Sequence, residues 1–343
     1  MTTTLVLGAV ELTAHFLEPR LVPPRTIPLP APHAPGVADP RAFQTRLDQR
    51  RAEKGIGLVE DESLGWTLRP RSVHKEGRVL ARINSLGLRG PEVEAKAKDE
   101  VRILTLGDSS IFGTDVEEKY VLSTIAAAEM AKQRGQSVTA VIGGVPGYDS
   151  AQARDLFGKI AGRVDPDWVV VGAIWSDLFR NDDRNQQLYR RSLVGPFRSL
   201  ATWRVLRWEL APWLASERVK WIDNASDVGT LDSEGLAART SLPDYVRNLE
   251  GIVKDAHAIG ARTAFVMLPA PMDFDRTPPP ESVAAYRSAM RKVAVTARAP
   301  IVDGPAIFLS QGSILAFVDN VHPSREGHAL LGRALADALV AAH

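Results

Sequence analysis

The sequence predicts an α/β protein with three layers, in which helices cover both faces of a five-stranded, mainly parallel sheet. Two observations carry this prediction. The composition, 45% apolar and 24% charged over 343 residues, is close to that of globular proteins and excludes a disordered chain or a coiled coil. After Lys98, short apolar runs alternate with amphipathic stretches, as strands and helices do around a parallel sheet. We therefore expect a ligand to bind beyond the carboxyl ends of the strands.

The elements follow one another in the order that such a sheet requires. Five apolar runs are the predicted strands: Val101–Leu106, Val138–Ile142, Trp168–Ile174, Arg262–Leu268 and Pro300–Val302. Five amphipathic stretches are the predicted helices: Glu118–Gln133, Ala151–Ala161, Leu242–Ala258, Val283–Ala297 and Arg325–Ala341. Together they define a domain over residues 100–343, preceded by an N-terminal extension over residues 1–99.

The extension has three parts. Leu5–Leu17 is mostly apolar, but it is too short to span a bilayer and lacks the basic leader of a secretory signal. We expect either a helix packed on the body or the remnant of a trimmed anchor, which would bring the chain close to a membrane. Eight of the 23 prolines lie between Pro19 and Pro40 and predict an extended strap. Trp66–Arg89 alternates apolar runs with turn residues and predicts a small β element.

The connection between the third and fourth strands is unusually long, about 85 residues. It contains an insertion over about residues 179–240 with four of the seven tryptophans, Trp203, Trp208, Trp213 and Trp221. One hypothesis is a helical lid beside the site. The other is a set of amphipathic helices whose tryptophans pack on the body, and the two hypotheses are compatible.

Composition also excludes several functions. A net charge of +1 provides no chain-wide field for binding phosphate backbones, so nucleic acid is not an expected partner. The absence of cysteine excludes disulfides, thiolate metal sites and iron–sulfur clusters. Gly143–Gly147 could cradle a phosphate, but no nucleotide-binding fingerprint accompanies it. Asp177, Asp182 and Asp183 fit an exposed acidic loop better than a metal site. We predict no cofactor and no metal; the compartment, cytoplasm or cell envelope, and the oligomeric state stay open.

Two segments at predicted strand ends carry candidate catalytic residues. Gly107-Asp108-Ser109-Ser110 follows the first strand, where a serine hydroxyl would point into the crevice at the sheet edge. Asp319 and His322 lie three residues apart on the loop before the last helix, where the carboxylate could hold the imidazole Nδ1–H and leave Nε2 free for a serine. Alone, Ser109 could be a turn serine and Asp319 a loop cap.

These blocks, in this order, resemble those of the SGNH (GDSL-type) hydrolases, which have a flavodoxin-like sheet. The resemblance covers residues 100–343 and implies that Ser109 is the nucleophile, that His322 and Asp319 complete a triad, and that the backbone N–H groups of Ser109 and Gly147 bind the oxyanion. The phrases Asn84–Gly90 and Leu268-Pro269 are similar to those of bacterial, often membrane-anchored members of the family.

The third block of this family departs from the usual pattern. Family members have Gly-x-Asn-Asp after the third strand, whereas this chain has Ser176 at the asparagine position. That asparagine donates an N–H to the oxyanion, and losing one such donor costs about 10²- to 10³-fold in rate. The Ser176 hydroxyl or Asn181 could replace it. Without either, the protein would be a weak enzyme or a non-catalytic binding protein.

The expected activity is therefore that of a serine esterase acting on an ester or O-acyl group of a small molecule or a glycan. Acyl transfer to a sugar or other hydroxyl is the near alternative, because the same acyl-enzyme serves water and alcohol acceptors. The residues do not identify the acyl group or the alcohol of the substrate.

Overall fold

A computed structural model describes residues 57–61, 63–76, 79–178, 238–274, 279–311 and 314–342. The predicted anchor and strap of the extension, residues 179–237 of the insertion with their four tryptophans, and Asn181 lie outside the described residues. The chain divides into two compact units, of which the smaller contributes residues 58–61 and 63–67 to the described part. Within the described ranges, no helix has both the length and the apolar character needed to cross a membrane.

Nine strands are present in the described residues: β1 Leu58–Asp61, β2 Gly65–Leu68, β3 Ser72–Glu76, β4 Val79–Ile83, β5 Val101–Gly107, β6 Val138–Gly144, β7 Trp168–Gly172, β8 Arg262–Met267 and β9 Ile301–Asp303. The first four form two small two-stranded sheets, β1 with β2 and β3 with β4. Strands therefore occur where Trp66–Arg89 predicted a small β element. The boundary at residue 99 stays a prediction.

Eight α-helices are present in the same ranges: α1 Ser109–Phe112, α2 Leu122–Arg134, α3 Ser150–Val164, α4 Trp175–Leu178, α5 Leu242–Ala258, α6 Glu281–Thr296, α7 Gly304–Gln311 and α8 Arg325–Ala341. The predicted start of α2 is wrong. Glu118–Tyr120 forms a separate 3-10 turn, and the extended backbone of Val121 follows it, so the helix predicted from Glu118 begins at Leu122.

The five strands β6-β5-β7-β8-β9 form one sheet in that order, and every neighbouring pair is parallel. The predicted three-layer α/β fold is confirmed, and the sheet is wholly rather than mainly parallel. Every residue of β5 and β7 is buried, as expected for central strands covered on both faces. Helices α2 and α8 pack together, while α5 packs between α3 and α6.

The strand order sets the position of the site. Consecutive numbering of the sheet strands gives 2-1-3-4-5, the flavodoxin-like order, in which the chain reverses its direction of winding between β5 and β7. Crossovers from these two strands leave in opposite directions and open a crevice at their carboxyl ends. The segments after β5, β6 and β7 therefore converge there.

Three neighbouring strands end in glycine, and the short helix α1 lies directly over those ends. Gly107 of β5 pairs in register with Gly144 of β6 and Gly172 of β7. A Cβ atom on Gly144 would lie 2.3 Å from the backbone nitrogen of Phe112, and one on Gly172 would lie 2.5 Å from Ile111 Cδ1. This glycine row, Gly107, Gly144 and Gly172, is what allows α1 to pack so closely on the sheet.

Candidate active site

Ser109 is the first residue of α1, and one residue, Asp108, separates it from the end of β5. Asp108 caps this helix, since its Oδ1 accepts the N–H of Ser110 at 2.9 Å. Asp108 is fully buried, and burial raises the pKa of its carboxyl group, although the N–H of Ser110 opposes the shift. At the other end, Gly113 has a φ of 82° and donates its N–H to the carbonyl of Ser109. The helix is thus a single turn, held at both ends.

Asp319 and His322 lie on a tight loop between Phe317 and Pro323, which form a β-bridge. The N–H of Val318 donates to the carbonyl of His322 at 2.9 Å and closes the loop. Inside it, Asp319 Oδ1 accepts the backbone N–H of His322 at 2.9 Å. The loop therefore fixes the carboxylate and the imidazole relative to each other.

The structure brings Ser109, His322 and Asp319 into one hydrogen-bonded line. His322 Nδ1 lies 2.7 Å from Asp319 Oδ2, and His322 Nε2 lies 2.7 Å from Ser109 Oγ. Burial would raise the pKa of Asp319, but the charge and hydrogen bond of His322 and the backbone N–H groups of Val321 and His322 hold it well below its usual range. An ionised carboxylate accepts from Nδ1, which leaves the Nε2 lone pair to face the serine hydroxyl.

Gly147 lies in a turn that follows β6. The N–H of Tyr148 donates to the carbonyl of Val145 at 3.0 Å, and Gly147 has a φ of 81°. In the turn from Val145 to Tyr148, Pro146 is at the second position and Gly147, with its positive φ, is at the third. This combination is the signature of a type II turn. The turn type fixes the direction of the Gly147 N–H because the central peptide has opposite orientations in type I and type II turns.

Ser176 follows β7 and is the second residue of α4. It is 1% exposed, and its hydroxyl has no hydrogen-bond partner among the described residues. The next residue, Asp177, is fully buried in α4, so the exposed acidic loop expected at this residue is wrong. Asp177 accepts the Ser150 hydroxyl at 2.6 Å and the Ser150 N–H at 3.0 Å. Burial and the neighbouring carboxylate of Asp149 raise the pKa of Asp177 to about 7. The third block thus holds the start of α3, which follows the Gly147 turn.

Two further contacts hold the helix that begins with Ser109, and sequence reasoning did not identify either. Ser110 Oγ donates to the carbonyl of Val321 at 3.1 Å and joins α1 to the histidine loop. Arg89, 2% exposed, donates to the carbonyls of Phe112 at 2.8 Å and Gly113 at 2.7 Å, at the carboxyl end of α1. The sequence around Arg89 resembles that of family members, but nothing in it indicates this contact.

Another histidine, His328, lies near this site but serves a structural role. It is fully buried, and its Nδ1 accepts the N–H of Leu122 at 3.2 Å, at the start of α2. Burial, with the charges of Arg89 and His322, lowers the pKa of His328 to about 3. Within the described residues, no group of three or more His, Cys, Asp or Glu side chains is placed to hold a metal ion.

A model of the GDSL-like lipase/acylhydrolase family matches residues 105–330, more than half of the chain. The chain belongs to this family, so the resemblance in its sequence blocks is confirmed. It is a carboxylic ester hydrolase of the GDSL/SGNH type. No curated protein sequence matches it.

Solved structures with a similar fold include bacterial esterases. A variant of an acetyl xylan esterase from Geobacillus stearothermophilus is 15% identical, with a TM-score of 0.47, and the match covers 70% of this chain and 94% of that one. A lipase/acylhydrolase from Enterococcus faecalis is 16% identical, with a TM-score of 0.45, and the match covers 69% of this chain and 94% of that one.

Proposed function

We propose that this chain is a serine esterase that hydrolyses an ester or O-acyl group of a small molecule or a glycan through an acyl-enzyme on Ser109. The observation that carries the proposal is the line from Ser109 Oγ through His322 to Asp319, with 2.7 Å at each of its two steps. A hydroxyl, a base and an ionised carboxylate in this arrangement form a nucleophile with its proton acceptor and an orienting group.

In the first half of the reaction, Ser109 Oγ attacks the ester carbonyl carbon and its proton passes to His322 Nε2. The imidazolium that forms lies against the Asp319 carboxylate, which stabilises the new positive charge. When the tetrahedral intermediate collapses, the bond from carbon to the leaving oxygen breaks and His322 protonates that oxygen. The products of this half are a free alcohol and the acyl group on Ser109.

In the second half, a water molecule takes the place of the alcohol. His322 accepts a proton from the water, whose oxygen attacks the acyl carbon. Collapse of the second intermediate returns the proton from His322 to Ser109 Oγ and releases the acid. An acceptor hydroxyl in place of water would give acyl transfer, and no contact in the described residues favours it.

The oxyanion of both intermediates needs donors aimed at the carbonyl oxygen. We assign this role to the backbone N–H groups of Ser109 and Gly147 and to the hydroxyl of Ser176. In support, Ser109 is at the amino end of α1, Gly147 lies in a turn after the neighbouring strand, and the buried Ser176 hydroxyl has no other partner among the described residues. Asn181, the other candidate, is outside those residues.

A fluorophosphonate tests the nucleophile. It should label wild-type protein at Ser109, and a peptide map should place the adduct on that residue alone. Ser109→Ala should abolish labelling and hydrolysis of p-nitrophenyl acetate and butyrate together. An adduct on Ser110 would move the nucleophile by one residue, and equal hydrolysis by both proteins would overturn the proposal.

Ser176 tests the third donor and the alternative of a catalytically weak member. Ser176→Ala should lower kcat by about 10- to 10³-fold with little change in KM, because a donor to the oxyanion acts mainly in the transition state. Ser176→Asn should preserve or raise kcat. Thr263→Val is a matched control, since the Thr263 hydroxyl is also buried without a hydrogen-bond partner in the described ranges. An unchanged kcat in Ser176→Ala would assign the role to Asn181 or to backbone donors alone.

A further inference from the structure

We propose that Arg239, which lies at the end of the long connection before α5, is a positioning residue for the oxyanion site and acts through Gly147. The inference rests on the proposed function, because it concerns the N–H that we assign to the oxyanion. It assigns a positioning role to a residue near the end of the segment predicted as an insertion.

The guanidinium of Arg239 holds the segment from the Gly147 turn to the first turn of α3. Its Nη1 donates to the carbonyl of Gly147 at 2.8 Å, and its Nη2 donates to Gln152 Oε1 at 2.8 Å. Its Nε lies 3.4 Å from Asp149 Oδ2, and both side chains of this ion pair are less than a tenth exposed, 6% and 7%. One side chain thus contacts three residues of a six-residue segment.

The backbone beside Arg239 is itself fixed. The N–H of Thr240 donates to the carbonyl of Asp177 at 3.1 Å, and the carbonyl of Thr240 accepts the hydroxyl of Tyr286. Asp177 also accepts the N–H of Ser150, so the third block braces both Arg239 and the start of α3. The guanidinium is therefore held by its own backbone as well as by its acceptors.

This clamp matters because the turn has a competing conformation. If the central peptide rotated, the turn would change from type II to type I and the Gly147 N–H would point away from the reacting carbonyl. A hydrogen bond to the Gly147 carbonyl restrains the adjacent peptide plane and opposes that rotation. With Ser176 in place of the family's asparagine amide, a larger share of oxyanion binding falls on backbone donors.

The planar fork of arginine is required for this role. A guanidinium can donate to the Gly147 carbonyl and to Gln152 at the same time, while its charge remains beside Asp149. A lysine at this position would keep the ion pair with Asp149 but could not reproduce both directed hydrogen bonds. Charge alone and positioning can therefore be separated by comparing Arg239→Lys with Arg239→Gln.

The experiment measures kcat and KM for p-nitrophenyl butyrate and amide hydrogen exchange at Tyr148, whose N–H closes the turn. Arg239→Gln should lower kcat by about 10- to 100-fold with KM within about twofold, since a misdirected donor is lost mainly from the transition state. The Tyr148 amide should exchange about tenfold faster, because the whole turn opens more often without its restraint; exchange reports this opening and not the choice between type I and type II, which share the Tyr148 hydrogen bond. Arg239→Lys, which keeps the charge and guards against a folding defect, should show a smaller loss of the same kind.

Arg154→Gln is the matched control. Arg154 lies on α3, the helix whose first turn Arg239 contacts, and its Nε is 3.2 Å from Asp255 Oδ2 on α5. Its side chain is 40% exposed, so kcat and Tyr148 exchange should stay at wild-type values. If both Arg239 variants match this control in kcat and in Tyr148 exchange, the positioning role is wrong. Ser109→Ala, measured in parallel, separates the two proposals. If wild type is no more active than Ser109→Ala, the esterase proposal fails, and Tyr148 exchange then shows only whether Arg239 restrains the Gly147 turn.

Discussion

Replacing Ser109 or His322 with alanine is expected to lower kcat/KM for p-nitrophenyl butyrate by about 10³- to 10⁶-fold, because a nucleophile and its base act as a unit. For the same reason the double variant should be about as inactive as either single variant. Steady-state kinetics on the purified full chain, with protein concentration taken from absorbance and folding checked by circular dichroism, measure these losses.

The control for this pair is Ser110→Ala, which removes the neighbouring hydroxyl. Ser110 Oγ donates to the carbonyl of Val321, so its loss should loosen the contact between α1 and the histidine loop without removing a reacting group. We expect a reduction of no more than about tenfold, in line with the loss of one supporting hydrogen bond. For the main pair, the double variant of Ser109 and His322 is decisive. If its loss in kcat/KM equalled the product of the two single losses, the two residues would not act in one mechanism.

Gly144→Ala should damage both stability and activity. The added Cβ would lie 2.3 Å from the nitrogen of Phe112 and 2.6 Å from the carbonyl carbon of Ile111, and backbone atoms cannot turn aside as a side chain can. Helix α1 must shift, which carries Ser109 away from His322. We expect unfolding free energy to fall by about 1–3 kcal/mol, with kcat lowered by at least about tenfold.

A second glycine offers the opposite expectation for the same substitution. Gly158 is exposed in the middle of α3, and a Cβ there would meet nothing within 4 Å. Gly158→Ala should stabilise the protein by about 0.5–1 kcal/mol and leave kcat unchanged, because alanine is the better helix former. Chemical denaturation followed by circular dichroism measures both variants. Equal stability of the two would show that the glycine row is not sterically required.

The helices and strands that sequence predicted well are those with a long periodic pattern. The predicted bounds of α5 and α8 match the structure, and five apolar runs identified the five strands of the sheet. The short helices α1 and α4 were not predicted, because four residues cannot display a helical period. Their residues instead resemble a turn at the end of a buried strand, and tertiary contacts decide their conformation.

The proximity of Ser109 to His322 was predictable because carboxyl ends of parallel strands share one edge, although 213 residues separate the two positions. The supporting arginines were not predictable. Arg89 and Arg239 donate to backbone carbonyls 24 and 92 residues away, at Gly113 and Gly147. Every residue type has a backbone carbonyl, so such a contact leaves no complementary residue in the sequence that could indicate it.

The glycine row has a consequence for how enzymes built on this sheet can diversify. Strands that end in glycine contribute no side chain to the catalytic edge at those positions, so contacts with a substrate there must come from the loops that follow. Loops accept substitution and insertion more readily than buried strands do. Substrate preference can therefore change during evolution, or in the laboratory by loop exchange, while the three glycines beneath α1 stay the same.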